Sequence, residues 1–563
     1  MSAGALSMRL VVLCLAATLM APFRPTVVAA DDVLSAADAA AVIRTALGAL
    51  GDASLAVAVV DRAGQILGVS ARSGAAPRTP DEAVSLARTG AFFSNDHAPL
   101  SSRTVRFISG IHFPPDIPNT ANAALYGIEN TNRGCSIGTQ DAAFTALPRP
   151  RAIQGTVTDS PQAQVLPCQA SDPRGCSPGI TTGKANLNDT GGFGATVNPG
   201  GMPLYRNGRL LGGVGVAGVS PDRAEFAALS AAATSGAAIA PVETFPAELP
   251  APGAVFINGI RLPFFRACIT IGCAREAVTV RPGGSTPGSA ADSVELVHPR
   301  DGQPVPEAYL FGPRSSSRTG GLTVNEVSRI VSQAVATAAT TRAVIRLPSG
   351  QTTRMVIAIT DQDGEFLAVY RMPDAPVFSV DVAMEKARNA YYFSTREGYE
   401  VLRGFVTANP YAHYTWEPEP PAGKGWAVTS RTLGYGGQPL FPPGIDRDKP
   451  ATPGPWFDLF TYDTRNPCTE GPGPSRGGNL SFQNQSGVVW FPGSAPLYRN
   501  GELVGGIGVS GDGVEQDDFV TAGAVAGFDP PAELRVDRST IATGSGAAVR
   551  LPYFTFPRNP TQP

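Results

Sequence analysis

The stretch Pro203-Leu204-Tyr205-Arg206-Asn207-Gly208-Arg209-Leu210-Leu211-Gly212-Gly213-Val214-Gly215-Val216-Ala217-Gly218 occurs twice in this chain. Its second copy runs from Pro496 through Tyr498-Arg499-Asn500-Gly501 to Gly505-Gly506-Ile507-Gly508-Val509-Ser510-Gly511. Asn-Gly between two apolar runs predicts a tight β-hairpin, because both central residues take positive φ. The glycines of the outgoing strand strip one face of side chains. A helix, another subunit or a flat ligand has to approach that backbone closely. The flanking pairs Tyr205-Arg206 and Tyr498-Arg499 fall near the hairpin tips, where solvent exposure is expected.

Two further blocks recur upstream, in the same order. Val57-Ala58-Val59-Val60-Asp61-Arg62-Ala63-Gly64 matches Ile357-Ala358-Ile359-Thr360-Asp361-Gln362-Asp363-Gly364. Asp81 to Ser94, with Ala87-Arg88, matches Asp381 to Ser394, with Ala387-Arg388. The register between copies slips only between this second block and the hairpin. The pattern is a tandem duplication carrying variable insertions. Within the first copy the periodicity predicts a helix over 35–50, strands over 55–61 and 65–71, a helix over 81–94 and a closing helix from Pro221 to about Ser235. The units are 31–236, with an insertion at about 95–198, and 322–528, with an insertion at about 395–489. Residues 237–321 link them and 529–563 form a tail. Phe256 to Phe265 and Val549 to Phe554 resemble each other, so each unit is expected to carry an extension that packs back on a sheet. The second insertion is rich in aromatics, among them Tyr411, Tyr414, Trp416, Trp426, Phe457 and Phe460.

Arg9 followed by the apolar run Leu10–Met20, and then Val28-Ala29-Ala30 before Asp31-Asp32, reads as a secretory leader over residues 1–30, cleaved after Ala30. A periplasmic or extracellular location follows. No other stretch has the length and apolarity of a membrane span. Outside the leader stand Cys135, Cys168, Cys176, Cys268, Cys273 and Cys468, an even set that favours disulfides in an exported chain. Cys168/Cys176 and Cys268/Cys273 could close short loops, which leaves Cys135 and Cys468 to tie the insertions together. Other pairings remain open. With 44 basic and 47 acidic residues there is no basic excess to attract nucleic acid.

The three blocks together resemble the GlcG/HbpS-like, or haem-degrading domain, family: V-x-V-V-D-x-x-G, then D-x-A-x-x-x-A-R, then P-L-x-x-x-G-x-x-x-G-x-[IV]-G-V-x-G, in order, in both halves. The resemblance covers roughly half the chain. It implies an α/β (α+β) fold in which each unit is an antiparallel sheet with flanking helices, and assembly into dimers or larger homo-oligomers. It also implies haem as the ligand of exported members, with a corrinoid, or no cofactor, as the alternative.

Haem iron takes His, Met, Cys or Tyr. His97 and His112 follow the second helix of unit one, and His413 lies in the matching region of unit two. These three are the candidate iron ligands. Arg88 and Arg388 occupy matching helical positions. Either could pair with a haem propionate; the blander reading pairs each with an acid such as Asp61 or Asp361. Asp517-Asp518 is expected on the solvated face of the closing helix. No Gly-x-Ser-x-Gly, His-Glu-x-x-His or dinucleotide fingerprint is present, so no catalytic cluster is assigned. The sequence therefore supports an exported tetrapyrrole-binding protein built as a covalent pseudo-dimer. The alternative is a non-enzymatic scaffold whose insertions meet a protein partner.

Overall fold

The structure, a computed structural model, describes residues 33–76, 79–110, 113–114, 120–128, 197–232, 255–257, 259–265, 301–442, 452–465, 487–542 and 548–561. The leader, His112 and the six remaining cysteines lie outside the described residues, as do the disulfides expected of them.

Unit one opens with α1 (Ala36–Ala49), started by Ser35, which forms a reciprocal cap with Asp38. β1 (Ala56–Asp61) and β2 (Ile66–Ala71) follow, then α2 (Thr79–Phe93), α3 (Ser102–Ser109), β3 (Gly201–Arg206), β4 (Arg209–Ala217) and α4 (Pro221–Ala232). The strands form one antiparallel sheet in the order β2-β1-β4-β3. Every residue of β1 is buried, because both faces of the sheet are covered, which is why the strand reads as continuous apolar sequence. Val57 and Val59 face α1 and α4, whereas Ala56, Ala58 and Val60 face α2.

The glycine run of β4 is explained by α2. A Cβ at Gly213 would overlap the carbonyl oxygen of Ala87, and one at Gly215 that of Ala83. A helix is thus the body that approaches the bare backbone. The turn has the expected conformation, with φ of 51° at Asn207 and 74° at Gly208.

A short hairpin, β5 (Phe256–Ile257) and β6 (Ile260–Arg261), follows unit one, and β7 (Ala308–Phe311) precedes unit two. Unit two repeats the plan with α5 (Val324–Thr340), β8 (Val356–Thr360), β9 (Phe366–Arg371) and α6 (Ser379–Ser394). It continues with α7 (Arg396–Thr407), β10 (Thr415–Glu417), α8 (Ser430–Gly436), α9 (Phe457–Arg465), β11 (Ser494–Arg499), β12 (Glu502–Ser510) and α10 (Val514–Ala524). β7 adds an edge to this sheet, giving β11-β12-β8-β9-β7. β13 (Thr540–Ala542) and β14 (Ala548–Arg550) join β10 in a small sheet. The observed class is α+β with antiparallel sheets, as the sequence implied.

The duplication reaches further than the sequence blocks. Ser94 Oγ accepts from the Leu100 amide (2.9 Å) and donates to its carbonyl. Ser394 does the same with Val428. Ser101-Ser102-Arg103-Thr104 then starts α3, and Thr429-Ser430-Arg431-Thr432 starts α8. In both units these side chains hold the extension: Thr104 donates to Pro263 O and Thr432 to Pro552 O, each at 2.7 Å. The extensions thus pack on a helix start of their own unit, and the second also joins the small sheet through β14.

Two expectations are corrected. Tyr205 and Tyr498 are buried, not exposed at a tip, and the Tyr205 hydroxyl donates to Asn95 O at 2.8 Å. Asp517 and Asp518 are buried as well, not on a solvated face.

The candidate binding site at the joint between the units

Unit one reaches unit two through the short loop after α2. Asn95 Nδ2 donates to Ile345 O at 3.3 Å, and the Leu347 amide donates to His97 O at 3.2 Å. Phe93 stacks on Phe378 with centroids 4.4 Å apart and planes 12° apart. Around them Val377, Val382, Val489 and Phe491 of unit two complete one apolar core with Phe92, Leu100, Val105 and Ile108 of unit one.

A charge cluster stands beside this core. The Asp374 carboxylate receives Arg62, Arg346 (2.5 Å) and the Asp96 amide (3.2 Å). Asp96 in turn accepts from the Leu210 amide at 2.8 Å. Arg346 also pairs with the fully buried Asp512. The guanidinium groups of Arg62 and Arg346 hold the Asp374 carboxyl far below the usual carboxylate range, against the upward push of burial.

His97 sits in this joint, partly buried. Its Nδ1 lies 3.1 Å from the Leu347 carbonyl oxygen. A carbonyl only accepts, so Nδ1 carries a proton, and in the neutral ring Nε2 keeps its lone pair. That tautomer, fixed by a backbone carbonyl, is the state in which an imidazole binds a metal. The ring of His97 therefore suits an iron ligand, and the group that orients it comes from the other unit. His413 is exposed on a loop far along the chain from this joint, before the buried Tyr414. The structure does not bring it to His97 through any described contact.

Arg88 and Arg388 turn inward, with exposures of 1% and 2%. Each donates Nε to the carbonyl of the turn glycine, Gly64 or Gly364, at 3.0 Å. Both turns have positive φ at that glycine, 84° and 74°. Arg388 also lies over the Phe366 ring, 4.4 Å from its centroid, and burial pulls its pKa down to about 10. Asp61 and Asp361, the partners the blander reading named, accept backbone amides of the same turns. Both arginines staple turns of their own unit.

Unit two holds a second buried pair that the sequence reading missed. Lys386 Nζ donates to Asp517 Oδ2 at 2.9 Å and to Val509 O at 2.8 Å, and lies 4.9 Å from the Phe491 ring centroid. Lys386 is fully buried. Burial raises the Asp517 pKa to about 7 and lowers that of Lys386. In unit one the same space is apolar. Gly200 faces Leu86 and Ala224, where Gly493 faces Lys386 and Asp517. The neighbouring pair is kept in both units: Arg103 with Glu225, Arg431 with Asp518. The paired carboxylates could have been flagged by asking which cation of the second unit has no counterpart in the first.

The aromatic insertion builds its own core. Tyr399, Trp416, Trp426, Trp456 and Trp490 are all buried, and Tyr126 of unit one stacks on Phe460 at 4.8 Å. Among the described residues no group of three or more metal-ligating side chains forms, and no helix is long and apolar enough to cross a membrane.

Part of the second unit matches a known family. Residues 322–440 and 457–526 match the family described as Haem degrading protein HbpS-like. The family match lies in the second unit and covers about a third of the chain. Two solved structures are similar in part. One is a PduOC:haem complex, with 21% identity and a TM-score of 0.20, covering 38% of this chain and 99% of that one. The other is Klebsiella pneumoniae protein ORFY of family DUF336, with 17% identity and a TM-score of 0.20, covering 38% of this chain and 94% of that one. No curated protein matches the chain.

Proposed function

We propose that this chain is an exported haem- or tetrapyrrole-binding protein, a covalent pair of GlcG/HbpS-like units whose ligand site lies at the joint between them. One observation carries the reading: Leu347 O fixes the His97 proton on Nδ1 and leaves Nε2 as a donor. The family match supports the ligand class. A bound haem would supply an iron that takes a nitrogen ligand. The protein would contribute the oriented imidazole, held beside the buried Phe93–Phe378 stack.

Haemin titrated into the mature protein is expected to give a saturable Soret shift at one equivalent. His97→Ala should abolish it and His413→Ala should leave it. The backbone bonds of His97 survive that change, so far-UV circular dichroism should match the parent. An unchanged Soret shift in His97→Ala would remove the assignment. Export is read separately: N-terminal sequencing of protein recovered from the cell exterior or periplasm should begin at Asp31.

A further inference from the structure

We infer that the joint is a one-way docking surface. Among the described residues it consists of a plug that only unit one carries and a socket that only unit two carries, so the socket fits a unit-one partner and this contact is not self-complementary. The inference is independent of the ligand reading.

The plug is the loop 95–99, with Asn95, Asp96 and His97 facing unit two. The flanking serine bonds show where its counterpart should be in unit two. Ser94 is tied to Leu100 across this loop, and Ser394 is tied to Val428 across residues 395–427. That longer segment contains α7 and β10 and packs into the aromatic core of its own unit. Unit two therefore has a capped end where unit one has a plug.

The socket has two parts, and unit one lacks both. The first is 344–347, which supplies the Ile345 and Leu347 carbonyls and Arg346. It lies in the connection from Thr341 to Met355 between α5 and β8. Unit one joins α1 to β1 directly through 50–55, with no room for such a shelf. The second part is Asp374 to Phe378. Gly74 and Ala76 stand at the equivalents of Asp374 and Pro376; they are exposed and carry no acid. In an isologous pair every contact between i and j is matched by one between j and i. Here the mirror contact would need Glu397 against the α1–β1 connection and Gln362 against Gly74, and neither side has the required groups. Segment 301–311 reinforces the polarity. Its start is held by unit one, through Gly302 to Leu34 O (2.7 Å) and Gln303 to Asp61 (3.0 Å), while β7 is an edge strand of unit two.

The test keeps the full chain and cuts it after folding. A site-specific protease sequence is inserted after Gly284, and the cleaved protein is analysed by native mass spectrometry and light scattering. The expected species is one N-terminal half bound to one C-terminal half. Pairs of like halves, or halves that separate on cleavage, would overturn the proposal. Asp374→Asn is expected to weaken the association of cleaved halves at least tenfold, and Arg62→Gln, on the opposite side, to do the same. Association unchanged in both variants would show that this cluster does not define the surface.

Discussion

Positions 86 and 386 occupy the same place on equivalent helices, yet one is Leu and the other a fully buried Lys. A buried ion pair gains little over an apolar pair of similar volume, but removing one partner strands a charge. Asp517→Ala alone is therefore expected to cost about 3–5 kcal/mol in urea denaturation. The double change Lys386→Leu with Asp517→Ala copies unit one and should be near neutral. The same variants test a pH effect. Asp517 titrates near 7 in the folded chain and near the ordinary value of about 3.9 unfolded. Between those values the folded state holds the extra proton, so this carboxyl makes stability fall as pH rises from about 4 to 7. The double variant should lose that slope. The unmatched Lys386 was legible in the sequence, but its burial against Asp517 was not. Asp517-Asp518 stands in the first turns of a helix that follows Gly513, where solvated acids are common, and the packing of Lys386 and Arg431 turns both inward.

At the scale of elements, the close approach of helix and glycine strand is the most exacting feature of each unit. Gly508→Ala would drive a methyl into the Ala383 carbonyl, and Gly215→Ala into that of Ala83. Each is expected to destabilise by about 1–3 kcal/mol, the range for overpacking a close-packed contact, seen as a lower denaturation midpoint. Gly404→Ala, in the exposed interior of α7 with open space around it, should stabilise by about 0.5–1 kcal/mol. Here the sequence was informative. The Asn-Gly turns, the alternating glycines and the capped helices fix element type by local rules, and each formed where expected. The starts of α3 and α8 were less legible. Ser101-Ser102-Arg103-Thr104 and Thr429-Ser430-Arg431-Thr432 are similar, but they stand at unequal distances from their preceding helices, inside segments that read as insertions. The surroundings of the candidate ligand His97 were half legible. Its position after α2 could be read, but the carbonyl that orients it comes from a connection in the other unit that no local pattern announces.

For the whole molecule, the shared core of Phe92, Phe93, Phe378 and Val382 couples the two units. Scanning calorimetry of the intact chain is expected to show one cooperative transition for both units. Asp374→Asn should split it into two. Acid should act in the same direction. The Asp374 pKa is depressed in the folded state, so its contribution is present above the ordinary carboxylate range and is lost as pH falls through its folded value. The joint should therefore loosen at strongly acidic pH before either sheet unfolds. Circular dichroism, with light scattering on the cleaved protein, would separate the two events.

The unlike ends of the two units have a genetic consequence. In a pair of identical subunits every substitution strikes both sides of the axis at once, so a loop can lengthen only if the pair tolerates two longer loops. Joined in one gene, the copies escape that constraint. One end could shorten to a five-residue contact at 95–99 while its twin grew into a small aromatic domain. A lysine could likewise enter one interior and leave the other apolar. Once each copy holds a part that the other needs, deletion of either leaves the survivor with no fitting neighbour, and the duplication is locked in place.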